Sequence, residues 1–362
     1  MLKLRRAAAV ALVAGTALAA VTGAGSAAAA PAHRAHSVRQ LPGDYVGPLQ
    51  FAVSGRTIAV ADSFASALYL LGHEKPIATG PAVNPENPEQ SGDLAGVDIK
   101  NGRIAYTTTA ADHIDTALTV LQHGKQVMRA DLGHYEQVRN PDQRNTYGVA
   151  EPSELSDACK ADLAKNQVPI SSTGQKDSHP YAVAGLPDGS WLVADAGGND
   201  ILRVSRSGAI STVAVLPAQP VKITTELAGM LSVPNCVGIT YRFEPVPTDV
   251  EVRNGKVYVT TLPGGAGGLG SVYRLGWHGK PIKIAGGFAQ ATNLAVSPSG
   301  RIYVVELGVG IFTPGKDGPR KVLDLPNAAA VEWANGHLYA STAPVAASEG
   351  KDTSPGHIFV VR

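Results

Sequence analysis

Carboxylate and amide side chains stand at the ends of several apolar, strand-like segments of this 362-residue chain. Pro247-Thr-Asp249 and Thr292-Asn293 open two of these segments at equivalent places. Hard divalent cations prefer oxygen ligands, so Asp249 and Asn293 are candidate ligands for an ion such as Ca²⁺. The simpler interpretation is that Asp and Asn at strand starts bond to nearby backbone and close local turns.

A wider set of polar residues falls at the same ends of the predicted strands. The candidate ligand-binding residues are His179, Tyr181, Asp195, Asn199, Asp249, Asn293 and Glu306. His179 could act as a base or a ligand, because imidazole titrates near neutral pH. A His ahead of Pro at a strand start could equally order the loop through a backbone hydrogen bond. No His-Glu-x-x-His or Gly-x-Ser-x-Gly pattern occurs, so proteases and serine hydrolases of those kinds are unsupported and the catalytic residues stay unassigned.

A recurring hairpin positions these residues. An apolar strand, a tight turn and a second strand rich in Val, Tyr and Ile recur along the chain, with turn glycines Gly55, Gly102, Gly189, Gly255, Gly300 and Gly336. With residues 134–178 set aside, the unit repeats roughly every 47 residues, as four-stranded propeller blades do. We therefore predict an all-β fold, a six-bladed β-propeller of four-stranded antiparallel blades with a short helical insertion. Two packed β-sandwiches are the alternative, although a fixed period is not typical of them.

The N-terminus has the pattern of an export signal. Lys3, Arg5 and Arg6 precede the uncharged, Ala-rich residues 7–30, and small residues near Ala30-Pro31-Ala32 offer a cleavage point. We predict a signal peptide over 1–32, a single propeller over 33–362, and a secreted, extracellular protein. A retained membrane anchor is the alternative, because the run is long enough to span a bilayer. Once the signal is cleaved, we expect no membrane span.

Two insertions, at about 134–178 and 217–246, are predicted to cap one face. Both occupy crossings between blades, and successive propeller turns alternate between the two faces. Cys159 lies in the first insertion and Cys236 in the second. In an exported chain these two cysteines are expected to form a disulfide, with buried free thiols as the alternative. Ser153 is expected to cap a short helix that carries Cys159 on its inward side.

The residues also resemble a known family. His179-Pro-Tyr-Ala-Val, Leu192-Val-Ala-Asp-Ala-Gly-Gly-Asn-Asp-Ile-Leu-Arg-Val204, Val246-Pro-Thr-Asp-Val250 and Ala291-Thr-Asn-Leu-Ala-Val296 are similar to repeats of the ScyD/ScyE family. The resemblance runs from about Pro48 to the C-terminus. It implies an exported, NHL-like propeller and supplies no established reaction. Asp249 and Asn293 also resemble part of the ligand set of calcium-dependent gluconolactonase-like propellers.

Composition limits the function classes. The chain has 31 Lys plus Arg and 30 Asp plus Glu, a net charge of +1, so no basic excess favours nucleic acid. We expect a monomeric, secreted, non-catalytic binding or scaffold protein of the ScyD/ScyE type, whose ligand is a small molecule, a glycan or an extracellular protein. The alternative is a divalent-metal-dependent, lactonase-like hydrolase with its site at the channel mouth.

Overall fold

The computed structural model describes residues 37–361, apart from 85–86, 88–89, 266–267 and 345–353. The predicted signal peptide lies outside the described residues. Within the described residues, the chain forms 28 strands and three short α-helices. The strands assemble into seven four-stranded sheets. None of the helices in this part of the chain is long and apolar enough to cross a membrane.

The chain begins with one strand that belongs to its last sheet, followed by two complete sheets. The strands are β1 (Val38–Gln40), β2 (Pro48–Ser54), β3 (Thr57–Asp62), β4 (Ala67–Leu70), β5 (Ala78–Thr79), β6 (Asp93–Lys100), β7 (Arg103–Thr109), β8 (Thr116–Gln122) and β9 (Lys125–Asp131). We call β2–β5 blade 1 and β6–β9 blade 2.

The third blade lies between the two insertions. The first insertion contains α1 (Leu132–Arg139), β10 (Thr146–Val149), α2 (Asp157–Lys165) and β11 (Ser171–Thr173). Blade 3 follows as β12 (Pro180–Gly185), β13 (Trp191–Asp195), β14 (Asp200–Val204) and β15 (Ile210–Val215). The second insertion contains β16 (Gln219–Lys222), α3 (Thr225–Met230) and β17 (Thr240–Phe243).

Three blades complete the chain. Blade 4 comprises β18 (Pro247–Arg253), β19 (Lys256–Thr261), β20 (Gly270–Leu275) and β21 (Pro281–Phe288). Blade 5 comprises β22 (Ala291–Val296), β23 (Ile302–Glu306), β24 (Gly310–Thr313) and β25 (Arg320–Asp324). Blade 6 comprises β26 (Ala328–Ala334), β27 (His337–Thr342), β28 (His357–Val361) and the N-terminal β1, which pairs antiparallel with β28.

The predicted hairpins form because their turns accept left-handed backbone. Asn101–Gly102, for example, joins β6 to β7 with φ angles of +52° and +72°. Positive φ at both central residues matches the turn to the twist of the strands, and Asn and Gly tolerate it best. The six predicted turn glycines all have positive φ. The hairpin repeat is therefore confirmed.

The blades pack in a closed circuit around a central axis. The first strands contact one another in the order β2, β6, β12, β18, β22, β26 and back to β2. Apolar clusters fill the space between neighbouring blades; in one of them Leu118 of blade 2 packs with Trp191 and Leu202 of blade 3. The all-β propeller class is therefore confirmed.

The seventh sheet, in the order β11-β10-β17-β16, was not predicted. It combines strands from both insertions over an apolar cluster that includes Leu163, Leu227 and Phe243. A Cys159–Cys236 disulfide crosses this cluster, so the predicted pairing is confirmed. We call this sheet, its helices and its disulfide the cap. The predicted helix forms as α2, but its cap is Ser156, whose side chain accepts from Cys159 N, and not Ser153.

Candidate functional site

The second strands of blades 1, 3 and 5 each end in an acidic residue. Its carboxylate accepts a hydrogen bond from the backbone that leads into the same blade. His179 N donates to Asp195 Oδ1 over 2.6 Å. Ala289 N donates to Glu306 Oε1 over 3.0 Å. Asp62 likewise accepts from two backbone N–H groups that precede β2. Each carboxylate thus holds the chain just ahead of the first strand of its own blade.

Asp249 and Asn293 connect neighbouring blades. Leu294 N donates to Asp249 Oδ2 over 2.7 Å, and Val250 N donates to Oδ1 over 2.8 Å. Val331 N donates to Asn293 Oδ1 over 2.6 Å. The first strand of one blade therefore supplies a side-chain acceptor to the first strand of the next, and the polar atoms of both residues are engaged by the scaffold.

A buried glutamine bridges the channel at the same level. Asn293 Nδ2 donates to Gln50 Oε1 over 2.8 Å, and Gln50 Nε2 lies 3.5 Å from the Thr248 carbonyl oxygen. Gln50 is only 4% exposed. These contacts tie blade 1 to blades 4 and 5, neither of which packs beside it.

An imidazole–carboxylate pair lies where blades 2 and 3 meet. His179 Nε2 is 2.9 Å from Asp93 Oδ2, and a second pair, His113 Nδ1 and Asp177 Oδ1, is separated by 2.8 Å. The two imidazole rings are 5.1 Å apart, and Tyr181 meets His179 edge-on at 5.9 Å. We call Asp93, His113, Asp177, His179 and Tyr181 the mouth cluster.

The protonation of His179 depends on two opposed effects. Burial is the largest single influence and lowers the pKa of its imidazole, but the carboxylates of Asp93, Asp195 and Asp177 together outweigh it, and the net pKa is raised. Burial also raises the pKa of the Tyr181 hydroxyl, so Tyr181 stays neutral. His179 Nδ1 has no hydrogen-bond partner within the described part of the chain. Such a pair can hold a proton and donate it to a bound polar group.

Asn199, between β13 and β14 of blade 3, bonds to both insertions. Its Nδ2 donates to Asp142 Oδ2 over 3.0 Å, and Val246 N donates to its Oδ1 over 3.1 Å. Its φ of +55° is a left-handed conformation that Asn accepts more readily than most residues. Both the nitrogen and the oxygen of its amide are therefore used to hold the segments that connect the blades.

The structure therefore separates the predicted binding residues by position. His179 and Tyr181 lie together in the mouth cluster, with Asp195 directly behind the His179 backbone. Asn199, Asp249, Asn293 and Glu306 are each engaged with backbone elsewhere on the scaffold. Sequence reasoning missed His113 and Asp177, because neither lies in the recurring hairpin and only tertiary packing brings them to His179.

The predicted metal ligands do not form a joint set of free oxygens. Asp249 and Asn293 both accept backbone N–H groups. Among all residues that the structure describes, no three His, Cys, Asp or Glu side chains stand in an arrangement ready to hold a metal ion. Calcium binding at Asp249 and Asn293 remains a prediction.

Comparisons with known proteins agree on the fold. No protein-family profile matches the chain, and no curated protein matches its sequence. An oxidoreductase described as a glucose dehydrogenase from Thermus thermophilus matches with a TM-score of 0.52 at 14% identity, over 90% of this chain and all (100%) of that one.

Two further solved structures are similar. A gluconolactonase from Xanthomonas campestris gives a TM-score of 0.51 at 9% identity, over 90% of both chains. The PQQ-bound aldose sugar dehydrogenase from Streptomyces coelicolor gives 0.50 at 14% identity, over 92% of this chain and 100% of that one. At these identities, the likeness shows that the chain shares their fold.

Proposed function

We propose that this protein is a secreted β-propeller binding protein of the ScyD/ScyE type that holds a small polar ligand at the mouth cluster without transforming it. The observation that carries the proposal is how the polar residues are used. Asp195, Asp249, Asn293 and Glu306 are all engaged by backbone N–H groups of the scaffold. A side chain whose acceptor atoms hold the fold together is poorly placed to also perform chemistry.

The mouth cluster supplies what a binding site needs. Pockets typically combine apolar or aromatic walls with a few fixed polar groups that orient the ligand. The aromatic groups here are the two imidazole rings, with the buried Tyr181 packed edge-on against His179. Asp93 is the more exposed partner of its pair, with 24% of its side chain accessible. We infer a ligand with hydrogen-bonding groups, and a glycan or an extracellular protein would present such groups as well.

Secretion is part of the same proposal. Disulfides form and persist in oxidising compartments, and the Cys159–Cys236 bridge fits that setting. N-terminal sequencing of protein from the culture medium is expected to begin near Ala30–Ala32.

The test replaces the central imidazole. His179→Gln keeps a similar volume and removes the charge-assisted bond to Asp93, so we expect loss of ligand by at least about tenfold in affinity. Native mass spectrometry of protein isolated from the producing organism's medium measures the retained ligand. His73→Gln, at an exposed position, is the matched control. Equal retention by the His179→Gln variant would remove the mouth cluster from the proposal.

A hydrolase is the second candidate, and the paired imidazole–carboxylate groups favour it. His179 with Asp93 could serve as a general base beside His113 with Asp177. The predicted form is lactonase-like, with Ca²⁺ at Asp249 and Asn293. Incubating the protein with lactones, with Ca²⁺ or with chelator, separates the two candidates. Ca²⁺-dependent turnover that His179→Gln abolishes would favour the enzyme, and intact substrates would favour binding.

A further inference from the structure

A second acidic group lies beneath the cap and takes no part in the mouth cluster's His–Asp pairs. It consists of Glu136 on α1, Asp142 after that helix, Asp195 at the end of β13 and Asp200 at the start of β14. These residues are between 1% and 2% exposed. The first insertion and blade 3 thus contribute two buried carboxylates each to this group.

The carboxylates converge around Gly198. A Cβ atom placed on this glycine would lie 3.3 Å from Glu136 Oε2, 3.5 Å from the Asp195 carboxyl carbon and 3.6 Å from Asp200 Oδ1. Atoms of these three carboxylates therefore surround a single point. With glycine at this position, a space of about one methyl group remains between the three carboxylates.

Several of the oxygens have nothing to bond. Both Asp200 oxygens, Glu136 Oε1 and Asp142 Oδ1 have no hydrogen-bond partner in the described part of the chain. No ion pair within that part joins any of these acids to a Lys or Arg. Buried polar atoms are normally satisfied, and an uncompensated buried charge is costly.

Asp195 differs from the other three. Its Oδ1 accepts from the backbone N–H groups of His179, Gly197 and Gly198, and its Oδ2 accepts from Ser178 Oγ. Both Asp195 oxygens are therefore already hydrogen-bonded. Glu136, Asp142 and Asp200 each have at least one oxygen without a hydrogen-bond partner in the described part of the chain.

We propose that Glu136 and Asp200, with Asp142 adding negative charge nearby, bind a hard divalent cation, Ca²⁺ by its preference for carboxylate oxygens, at the junction of the first insertion and blade 3. Among the described residues, no three acidic side chains are placed to coordinate one ion together, so binding requires side-chain movement. Binding draws the Glu136 and Asp200 oxygens toward the space beside Gly198. The ion would connect α1 to β14 and so tie the first insertion to blade 3, whatever ligand the mouth cluster holds.

The alternative occupant of this region is the proton. Burial raises the pKa of Glu136 to about 9 and that of Asp142 to about 6, and the neighbouring acids add to both shifts. A cluster of neutral acids would need no cation. The two accounts differ in how they respond to Ca²⁺ and to removal of one carboxylate.

The experiment titrates Ca²⁺ into chelator-stripped protein by calorimetry and records Tm with and without the ion. A protein that binds Ca²⁺ only when folded is stabilised by it, so we expect one bound ion per chain and a Tm higher by several degrees. Asp200→Asn is expected to weaken binding by at least about tenfold, because affinity follows the charge of the ligand set. Asp317→Asn, at an exposed position, is the control and should bind as the parent does.

A second variant guards against a folding failure of the first. Glu136→Gln removes the charge contributed by α1 and should also abolish the Ca²⁺-dependent rise in Tm. Absence of heat and of any Tm shift in the parent protein would overturn the proposal. Undiminished Ca²⁺ binding in either folded variant would overturn it as well.

Discussion

At the scale of single residues, acidic side chains alternate with alanines around the channel. The first strands of blades 2, 4 and 6 each carry an acid at the same position of the first hairpin. These acids are Asp98, opposite Ala105, Glu251, opposite Tyr258, and Glu332, opposite Tyr339. Blades 1, 3 and 5 carry Ala52, Ala184 and Ala295 at that position. The Asp98 carboxylate accepts from Gly185 N over 2.6 Å, which links blade 2 to blade 3. Three acids thus share the channel, and their charges repel.

This arrangement predicts stability that falls as pH rises. Burial raises the pKa of Glu332 well above its usual 4.5, with Glu251, Asp98 and Asp249 adding to the shift and Arg253 opposing it. Above pH 4.5 the unfolded chain releases this proton before the folded chain does, so folding loses up to about 1.4 kcal/mol per pH unit until the folded pKa is passed.

Glu332→Gln removes that loss. The Tm of the variant relative to the parent should therefore become more positive between about pH 5 and pH 8. Thermal unfolding across this range measures it, with the exposed Glu74→Gln as the control. A difference that stays constant or shrinks with pH would show that Glu332 does not titrate as its surroundings indicate.

At the scale of elements, the cap is a small structure with its own core. Its apolar cluster packs α2 and α3 against β10 and β17, and the disulfide joins segments 77 residues apart in sequence. Closing a loop of that length contributes on the order of 4 kcal/mol. The buried members of this core all come from the two insertions, and Leu269 of blade 4 packs against their edge.

Replacing both cysteines with serine is therefore expected to loosen the cap first. Hydrogen exchange should quicken in residues 146–173 and 219–243, while β22–β25 of blade 5 exchange as before and serve as the internal control. Loss of the bridge frees the cap segments but leaves the packing between blades in place. Equally fast exchange in the blades would show that cap and propeller unfold together.

Local features of the fold were predictable and long-range ones were not. The hairpins follow from residues such as Asn101–Gly102, whose turn conformation depends only on neighbours in sequence. The seventh sheet pairs β10 with β17, and Gly148 there meets Arg242, nearly one hundred residues away. Short strands without alternation give no signal for such a pair.

The candidate site shows the same division. His179 stands out in the sequence because it precedes Pro180 at a strand start, but its partner Asp93 lies on another blade. Glu136 and Asp200 come close to one point only because α1 packs where blades 2 and 3 meet. The polar residues at strand ends are recognisable in the sequence. Which of them are bonded to backbone and which face the mouth cluster depends on tertiary hydrogen bonds that the sequence does not show.

At the scale of the whole molecule, the two ends of the chain close the ring. Val38 of β1 pairs with Val361 of β28, so the last blade needs both termini of the described chain. The circuit of first strands then holds Asp93 of blade 2 and His179 of blade 3 at a fixed separation. Rigidity of this kind suits recognition, since a preorganised site loses little entropy on binding.

We propose that ligand binding takes place at the mouth cluster, while the other strand-end polar residues hold the blades together. Hydrogen exchange, with and without the small-molecule fraction of the producing organism's medium, tests it most directly. We predict slower exchange confined to Asp93, His113 and residues 177–181, with the hairpin turns of the opposite face unchanged. Protection confined to those opposite turns, or none anywhere, would contradict the claim.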